Sequence, residues 1–325
     1  MRRALIVGID YYQHGGSLFG CVNDAHAVKS VLERHSDGSV NFDVMLMTGT
    51  AADRAIAKTD LRDAVEKLFN DGEPEIALFY FAGHGAIDSV GGYLCCSDSK
   101  KGTDGLSLSE IIAFANQSKA KNKMIILDSC HSGIAGAKPH DPKMIEICEG
   151  MTILTASSAE QYATEENGSG VFTALMVDGL NGSARDLVGA ITPGSIYAHV
   201  DQALGAWEQR PIFKTNVSSF VALRHVDPPI ARNEIQCLPE FFPNPGHIFA
   251  LDPSFEPTRN PGEENLPPPD PANAKQFAIL QRMHRVNLVV PVDSEHMYFA
   301  AMESKGCRLT VLGEHYRSLV VRKRI

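Results

Sequence analysis

Residues 75–85 read EIALFYFAGHG and residues 123–133 read KMIILDSCHSG. Each is an apolar run that stops in a glycine-bearing turn, with His84 in the first turn and Cys130 in the second. Unbroken hydrophobicity without polar alternation is the pattern of a strand covered on both faces. Similar runs occupy Ala4–Asp10, Phe42–Thr48, Met151–Ser157 and Ser218–Leu223. Helical patterns lie between them at Asp24–Arg34, Asp60–Asn70, Leu108–Gln117, Gly170–Leu180 and Ser195–Ala206. In the second of these, Leu61, Val65, Leu68 and Phe69 recur at three- and four-residue spacing, which puts them on one side. Strands alternating with helices of this length predict an α/β domain over residues 1–226. Its layers are a mostly parallel six-stranded sheet with helices on both faces.

In such sheets the reactive groups sit beyond the carboxyl ends of the strands. Successive parallel strands joined by a right-handed crossover are often neighbours. His84 and Cys130 are therefore expected to meet over one edge of the sheet. A thiol at its free pKa of about 8.5 is little ionised near neutrality. A nearby imidazole can take its proton and later return one to a leaving amine. The flanking glycines leave backbone N–H groups able to face a reacting carbonyl. This is acyl transfer by a Cys–His pair, and it needs neither metal nor cofactor. His131 is a rival base by proximity alone, but adjacent residues of an extended segment point to opposite sides, so it reads as structural.

The blocks Tyr80-Phe81-Ala82-Gly83-His84-Gly85 and Asp128-Ser129-Cys130-His131-Ser132-Gly133 resemble the two active-site blocks of caspase-like peptidases, specifically metacaspases and their bacterial relatives. Forty-six positions separate His84 from Cys130, near the roughly fifty found in caspases, although their Q-A-C-x-G block is absent. Supporting matches are Ala4–Asp10, Leu18–Ala25 (LFGCVNDA), Thr155-Ala156-Ser157-Ser158 and Gly170-Val171-Phe172-Thr173. The likeness spans about residues 1–225 and implies a three-layer caspase-like fold. It implies a cysteine endopeptidase with Cys130 as nucleophile and His84 as proton-transfer partner, the N–H groups of Gly85 and Cys130 forming the oxyanion hole. The odd, unpaired cysteines predict a cytoplasmic chain, and the likeness to bacterial caspase homologues with a C-terminal appendage implies a defence or signalling partner.

The resemblance also implies substrates with Arg or Lys before the scissile bond. The matching pocket positions are Asp24 and Asp128, with Cys21, Ala82 and Ser157 lining it. Two carboxylates can hold a guanidinium through paired charge-assisted hydrogen bonds. Asp24 can equally be an N-cap of the following helix. Many metacaspases carry Ser where this chain has Ala82, which removes one pocket hydrogen bond. Aspartates of calcium-dependent members are replaced by Ile134-Ala135-Gly136-Ala137, and the region before the preceding helix offers only Asp104. The loop from Ile134 to Gly150, with Lys138 and Lys143, is expected to be exposed, and cleavage near these lysines or in the proline-rich connector that holds Arg259 is expected to activate a zymogen.

The 325 residues are 44% hydrophobic and 21% charged, an ordinary globular composition. Seven cysteines in an odd, unpaired arrangement fit a reducing compartment, and no CxxC pair suggests zinc. The opening MRRALIVGID reads as a buried first strand rather than a signal sequence, since Asp10 breaks it and no small-residue cleavage site follows. No run approaches the roughly 18 apolar residues of a membrane span. Residues 227–271 hold 12 of the 18 prolines and read as an extended connector. Beyond it, Ala274–Arg285 (helix), Leu288–Val292 (strand) and Leu309–Val321 (helix) suggest a small winged-helix-like unit over 272–325. Residues 271–325 carry nine Lys/Arg against four Asp/Glu in a chain of net charge −9. Arg282, Arg285, Arg317, Arg322, Lys323 and Arg324 offer phosphate contacts for nucleic acid. Docking of a regulator or activating protease is the favoured reading of this unit, because no base-reading code accompanies the charge. The remaining alternative is an inactive caspase-like sensor whose last unit binds DNA or a protein, which the intact His84 and Cys130 blocks oppose.

Overall fold

The computed structural model describes residues 1–325 apart from 90, 130–136, 139–140, 146, 157–164, 167–168, 206–209 and 264. It divides into two compact units, Met1–Asp227 and Pro228–Ile325.

The first unit is built on strands β1 (Arg2–Ile9), β2 (Asp43–Gly49), β3 (Ile76–Ala82), β4 (Asn122–Asp128), β5 (Met151–Thr155) and β6 (Ile212–Asn216). Their order in the sheet is β6-β5-β4-β3-β1-β2. All pairings are parallel except that of β6 with β5. Five helices accompany them: α1 (Cys21–Leu32), α2 (Lys58–Asn70), α3 (Leu108–Gln117), α4 (Val171–Asp178) and α5 (Pro193–Ala203). One core joins Leu5, Val7, Phe79, Phe81, Ile125 and Leu127 to residues of α2 and α3. The other joins Ala4, Ile6, Leu78, Tyr80, Met124 and Ile126 to residues of α1, α4 and α5. Odd and even positions of the same strands are thus both buried, which is why β3 and β4 read as continuous apolar runs.

Register matters more for function than shape does. Gly8 of β1, Ala82 of β3 and Asp128 of β4 are paired across the sheet. Beyond that level, the Gly83 N–H donates to the Asp128 carbonyl at 3.3 Å, extending the ladder one step. His84 follows immediately on β3, and Cys130 comes two positions after Asp128 on the neighbouring strand, outside the described residues.

The sixth strand differs from expectation. Ser218–Leu223 is not a strand; Ile212–Asn216 is, and it runs antiparallel at the edge. An edge strand here is only half covered, so its sequence IFKTN lacks a continuous apolar run. Leu223 is instead buried in the same core as Ile191 and Val200, and its N–H donates to the Ile191 carbonyl at 2.7 Å.

The proline-rich stretch is not an extended connector. It forms α6 (Arg232–Gln236), α7 (Leu238–Phe241) and strand β7 (Ile248–Ala250). It also buries Ile235, Leu238, Phe242, Leu251 and Phe255. Arg259 donates to the carbonyls of Glu256 and Pro253, each at 2.5 Å, and to that of Pro267 at 2.8 Å, so it braces this stretch from within. The unit continues with α8 (Pro271–Arg285), β8 (Val289–Val292), α9 (Met297–Met302), β9 (Gly306–Leu309) and α10 (Val311–Val321). The three strands form an antiparallel sheet in the order β7-β9-β8. A helix separates each strand from the next in sequence, so β8 and β9 are not the hairpin of a winged helix. The charge asymmetry also changes with the boundary. Residues 228–325 hold eleven Lys/Arg and eleven Asp/Glu, so the second unit is formally neutral. Arg282 pairs with Glu234 at 2.6 Å, and Arg317 donates to the carbonyls of Phe242 and Pro243. Two of the six candidate phosphate contacts are therefore committed inside the unit. Among the described residues, no helix is long and apolar enough to cross a membrane.

Candidate active site

His84 lies between β3 and a short strand Gly85–Ile87, which pairs with Gly92–Leu94. It is half-buried, and the loop after β1 holds it in three ways. The Tyr12 hydroxyl accepts the His84 backbone N–H at 2.7 Å. The Tyr12 ring lies 4.6 Å from the imidazole, centroid to centroid, tilted by 49°. The Gly16 carbonyl lies 2.8 Å from Nε2. A carbonyl only accepts, so Nε2 is the donor of this contact and Nδ1 is the other ring nitrogen. Burial pushes the Tyr12 hydroxyl well above the usual phenol range, so it stays un-ionised. Gly83 makes room for this contact, since a Cβ there would lie 2.5 Å from the Tyr12 hydroxyl.

The acid pair sits on the α1/α4 side of the sheet. Asp24 and Asp128 are only 2% and 7% exposed, which demands partners for two carboxylates. Asp24 accepts the Gly170 N–H at 2.9 Å and the Ser169 hydroxyl. Asp128 accepts the Thr173 hydroxyl at 2.6 Å, and the Tyr80 hydroxyl lies 2.6 Å from Thr173 Oγ1. A Cβ on Gly170 would fall 2.4 Å from Asp128 Oδ2 and 3.1 Å from Asp24 Oδ2, so the two carboxylates converge on this glycine. Gly170 is also the N-cap of α4, where the helix dipole favours negative charge.

Asp24 is not the N-cap of α1. It lies inside the helix's first turn, and Asp10 does the capping, accepting the N–H groups of Cys21 at 2.9 Å and Val22 at 3.3 Å. Burial pushes the Asp10 carboxyl up, against the opposing pull of those two amides. Cys21 and Ala82 are buried in the same core as Tyr80, and Ala82 is paired with Asp128. The structure thus brings together Asp24, Asp128 and the α4 start, with Cys21 and Ala82 on the same face. Gly85 is half-buried and opens its short strand. Cys130 and Ser157 lie outside the described residues. Lys138 and Lys143 fall not in an irregular loop but on paired short strands, Ala137–Lys138 and Asp141–Ile145. Asp104 serves a local turn, accepting the Lys101 N–H at 2.9 Å.

Sequence reasoning assigned no role to Tyr12, Gly16, Asp10, Ser169, Tyr80 or Thr173. The available signals were a polar hydroxyl within the apolar run of β3, and the Asp10-Tyr11-Tyr12 triplet where β1 stops.

The sequence model of the caspase domain (Peptidase_C14) matches residues 1–221. Metacaspase-1 of Schizosaccharomyces pombe is 36% identical over 101 residues, 28% of this chain and 24% of the relative. Metacaspase-1 of Debaryomyces hansenii is 26% identical over 212 residues, covering 58% of this chain and 44% of the relative. Metacaspase-1A of Aspergillus terreus is 28% identical over 199 residues, 54% of this chain and 48% of the relative. The chain thus spans less than half the length of these curated relatives. Among solved structures, protein GSU0716 of Geobacter sulfurreducens superposes with a TM-score of 0.53 at 16% identity, over 70% of this chain and all of that one, a likeness of fold. With a caspase-domain match over most of the first unit and metacaspases among its relatives, the chain belongs to the caspase domain family of peptidases.

Proposed function

We propose that the chain is a cysteine endopeptidase that cleaves after Arg or Lys. His84 Nδ1 takes the Cys130 thiol proton, and the thiolate attacks the carbonyl carbon of the scissile bond. Backbone N–H groups of Gly85 and Cys130 receive the developing oxyanion. The imidazolium then protonates the departing amine, leaving a thioester on Cys130. Water attacks the thioester while His84 takes its proton, and protonation of the leaving sulfur restores the thiol. Asp24 and Asp128, with Cys21, Ala82 and Ser157 around them, receive the cationic side chain before the scissile bond.

One observation carries the reading: Ala82 and Asp128 are paired on adjacent strands, so the acid pair lies beside the strand end that leads into His84. The Nε2 contact with the Gly16 carbonyl leaves Nδ1 as the ring nitrogen for the thiol proton, which supports the base role. The test uses fluorogenic peptides ending in Arg, Lys or Asp, with the wild-type chain and Cys130→Ala. The reading requires Arg or Lys cleavage that Cys130→Ala abolishes. Cleavage after Asp contradicts the pocket assignment, and activity unchanged in Cys130→Ala removes the thiol from the mechanism.

Regulation by self-cleavage is assigned to Lys138 and Lys143, on the strands that follow the Cys130 block. Arg259 is not placed with them, since its guanidinium holds four carbonyls in the second unit. A chain lacking both lysines that activates like the wild type in the peptide assay rules this out. The neutral second unit favours a protein regulator over nucleic acid as its partner.

A further inference from the structure

The apolar run of β3 contains one hydroxyl that packing alone does not explain. Tyr80 is 0% exposed between Phe79 and Phe81, where a third Phe would fill the core without a polar atom to satisfy. Its hydroxyl meets Thr173 Oγ1, and Thr173, 1% exposed in the first turn of α4, meets Asp128 Oδ2. The directions follow from counting protons. A carboxylate only accepts, so the Thr173 hydroxyl donates to Asp128. Thr173 has no second hydroxyl proton, so the Tyr80 hydroxyl must donate to Thr173. Burial, and then the nearby Asp128 and Asp24, push the Tyr80 hydroxyl well above its usual range, which keeps it a donor.

We propose that Thr173 and Tyr80 are positioning residues for the recognition of the basic side chain, acting through Asp128. A row of donors that ends on one oxygen polarises each hydrogen bond in turn and fixes the plane of the carboxylate. With Asp128 Oδ2 held from the α4 side, the carboxylate is kept ionised and oriented before substrate arrives. The same helix start holds Asp24 through the Gly170 N–H. The first turn of α4 therefore sets the geometry of both acids toward a guanidinium or ammonium group.

This inference rests on the peptidase reading and is tested beside it, with kcat and KM of the full chain measured against pH on Arg and Lys peptides. Thr173→Val keeps the shape and removes the donor. It is expected to raise KM for the Arg peptide about tenfold or more, with kcat within about twofold. Losing a hydrogen bond to the charged form raises a carboxyl pKa, so the acid limb of kcat/KM moves up by about half a unit to one unit. Thr173→Ser restores most of the affinity, and Tyr80→Phe shifts KM and the limb the same way, by about threefold in KM. A loss confined to kcat, an unmoved acid limb, or Thr173→Ser as impaired as Thr173→Val overturns the proposal. Should Thr173→Val fail to fold, Tyr80→Phe decides: wild-type KM and acid limb overturn it. A wild-type chain that cleaves no Arg or Lys peptide overturns the peptidase reading and this one with it. An active wild type beside an unaltered Thr173→Val overturns this one alone.

Discussion

His84 and Asp128 belong to neighbouring strand ends, yet their surroundings are built on opposite plans. His84 is half-buried, and the contacts described around it are uncharged: a phenol ring, a phenol hydroxyl and a backbone carbonyl, all from the loop after β1. Asp128 and Asp24 are nearly sealed, held by hydroxyls and an amide at the start of α4. A group that must gain and lose a proton in each turnover works best with solvent access and neutral company. A group that must stay ionised while buried needs donors fixed around it. On the proposed peptidase reading, chemistry and recognition are mounted on different elements, the β1 loop and α4, and mutation should separate them.

The largest separation is expected from Asp128→Asn. Losing one member of a buried charge pair costs about 2–5 kcal/mol, or roughly thirtyfold to several-thousandfold in kcat/KM on Arg peptides, mostly through KM. A loss confined to kcat would break the division. Thiol reactivity comes next. Burial pushes Cys96 and Cys307 up to about 12, so near neutral pH they are almost wholly protonated. Iodoacetamide on the native chain should modify Cys130 at least about a hundredfold faster than either, read by peptide mass mapping. Equal labelling would mean that no activated thiol exists. Tyr12→Phe leaves the His84 N–H without its acceptor, and kcat should fall about tenfold at unchanged KM. A rise in KM instead would place Tyr12 with recognition. The smallest effect is that of Asp10→Ala, which uncaps α1 and should lower stability by about 1 kcal/mol in urea unfolding. Wild-type stability would show the two N–H bonds to be replaceable by water.

The sequence made the sheet legible where both faces are covered, as in β3 and β4, because such strands bury every residue and leave no alternation. It hid β6, whose exposed edge residues Thr215 and Asn216 interrupt the pattern. Proline density misled over residues 227–271, where prolines start a short helix and a 3₁₀ turn rather than an extended linker. The basic C-terminal segment looked like a separate charged unit until residues 228–270, with their seven acids, proved to fold with it. In the proposed pocket, the motif resemblance singled out Asp24 and Asp128 but not the groups that hold them. Ser169, Gly170 and Thr173 lie more than 40 positions from Asp128 and about 145 from Asp24, and only the crossing of α4 over the sheet joins them. Tyr12 and Gly16 were hidden for the same reason, since each reaches His84 across about 70 positions.

The central claim is that a Cys130–His84 pair cuts beside residues selected by Asp24 and Asp128. The most direct measurement incubates the purified chain with a mixed peptide library and sequences the new termini. The account predicts Arg or Lys before essentially every scissile bond, with no new termini from Cys130→Ala. Termini following Asp, or a pattern that survives in Cys130→Ala, would contradict it.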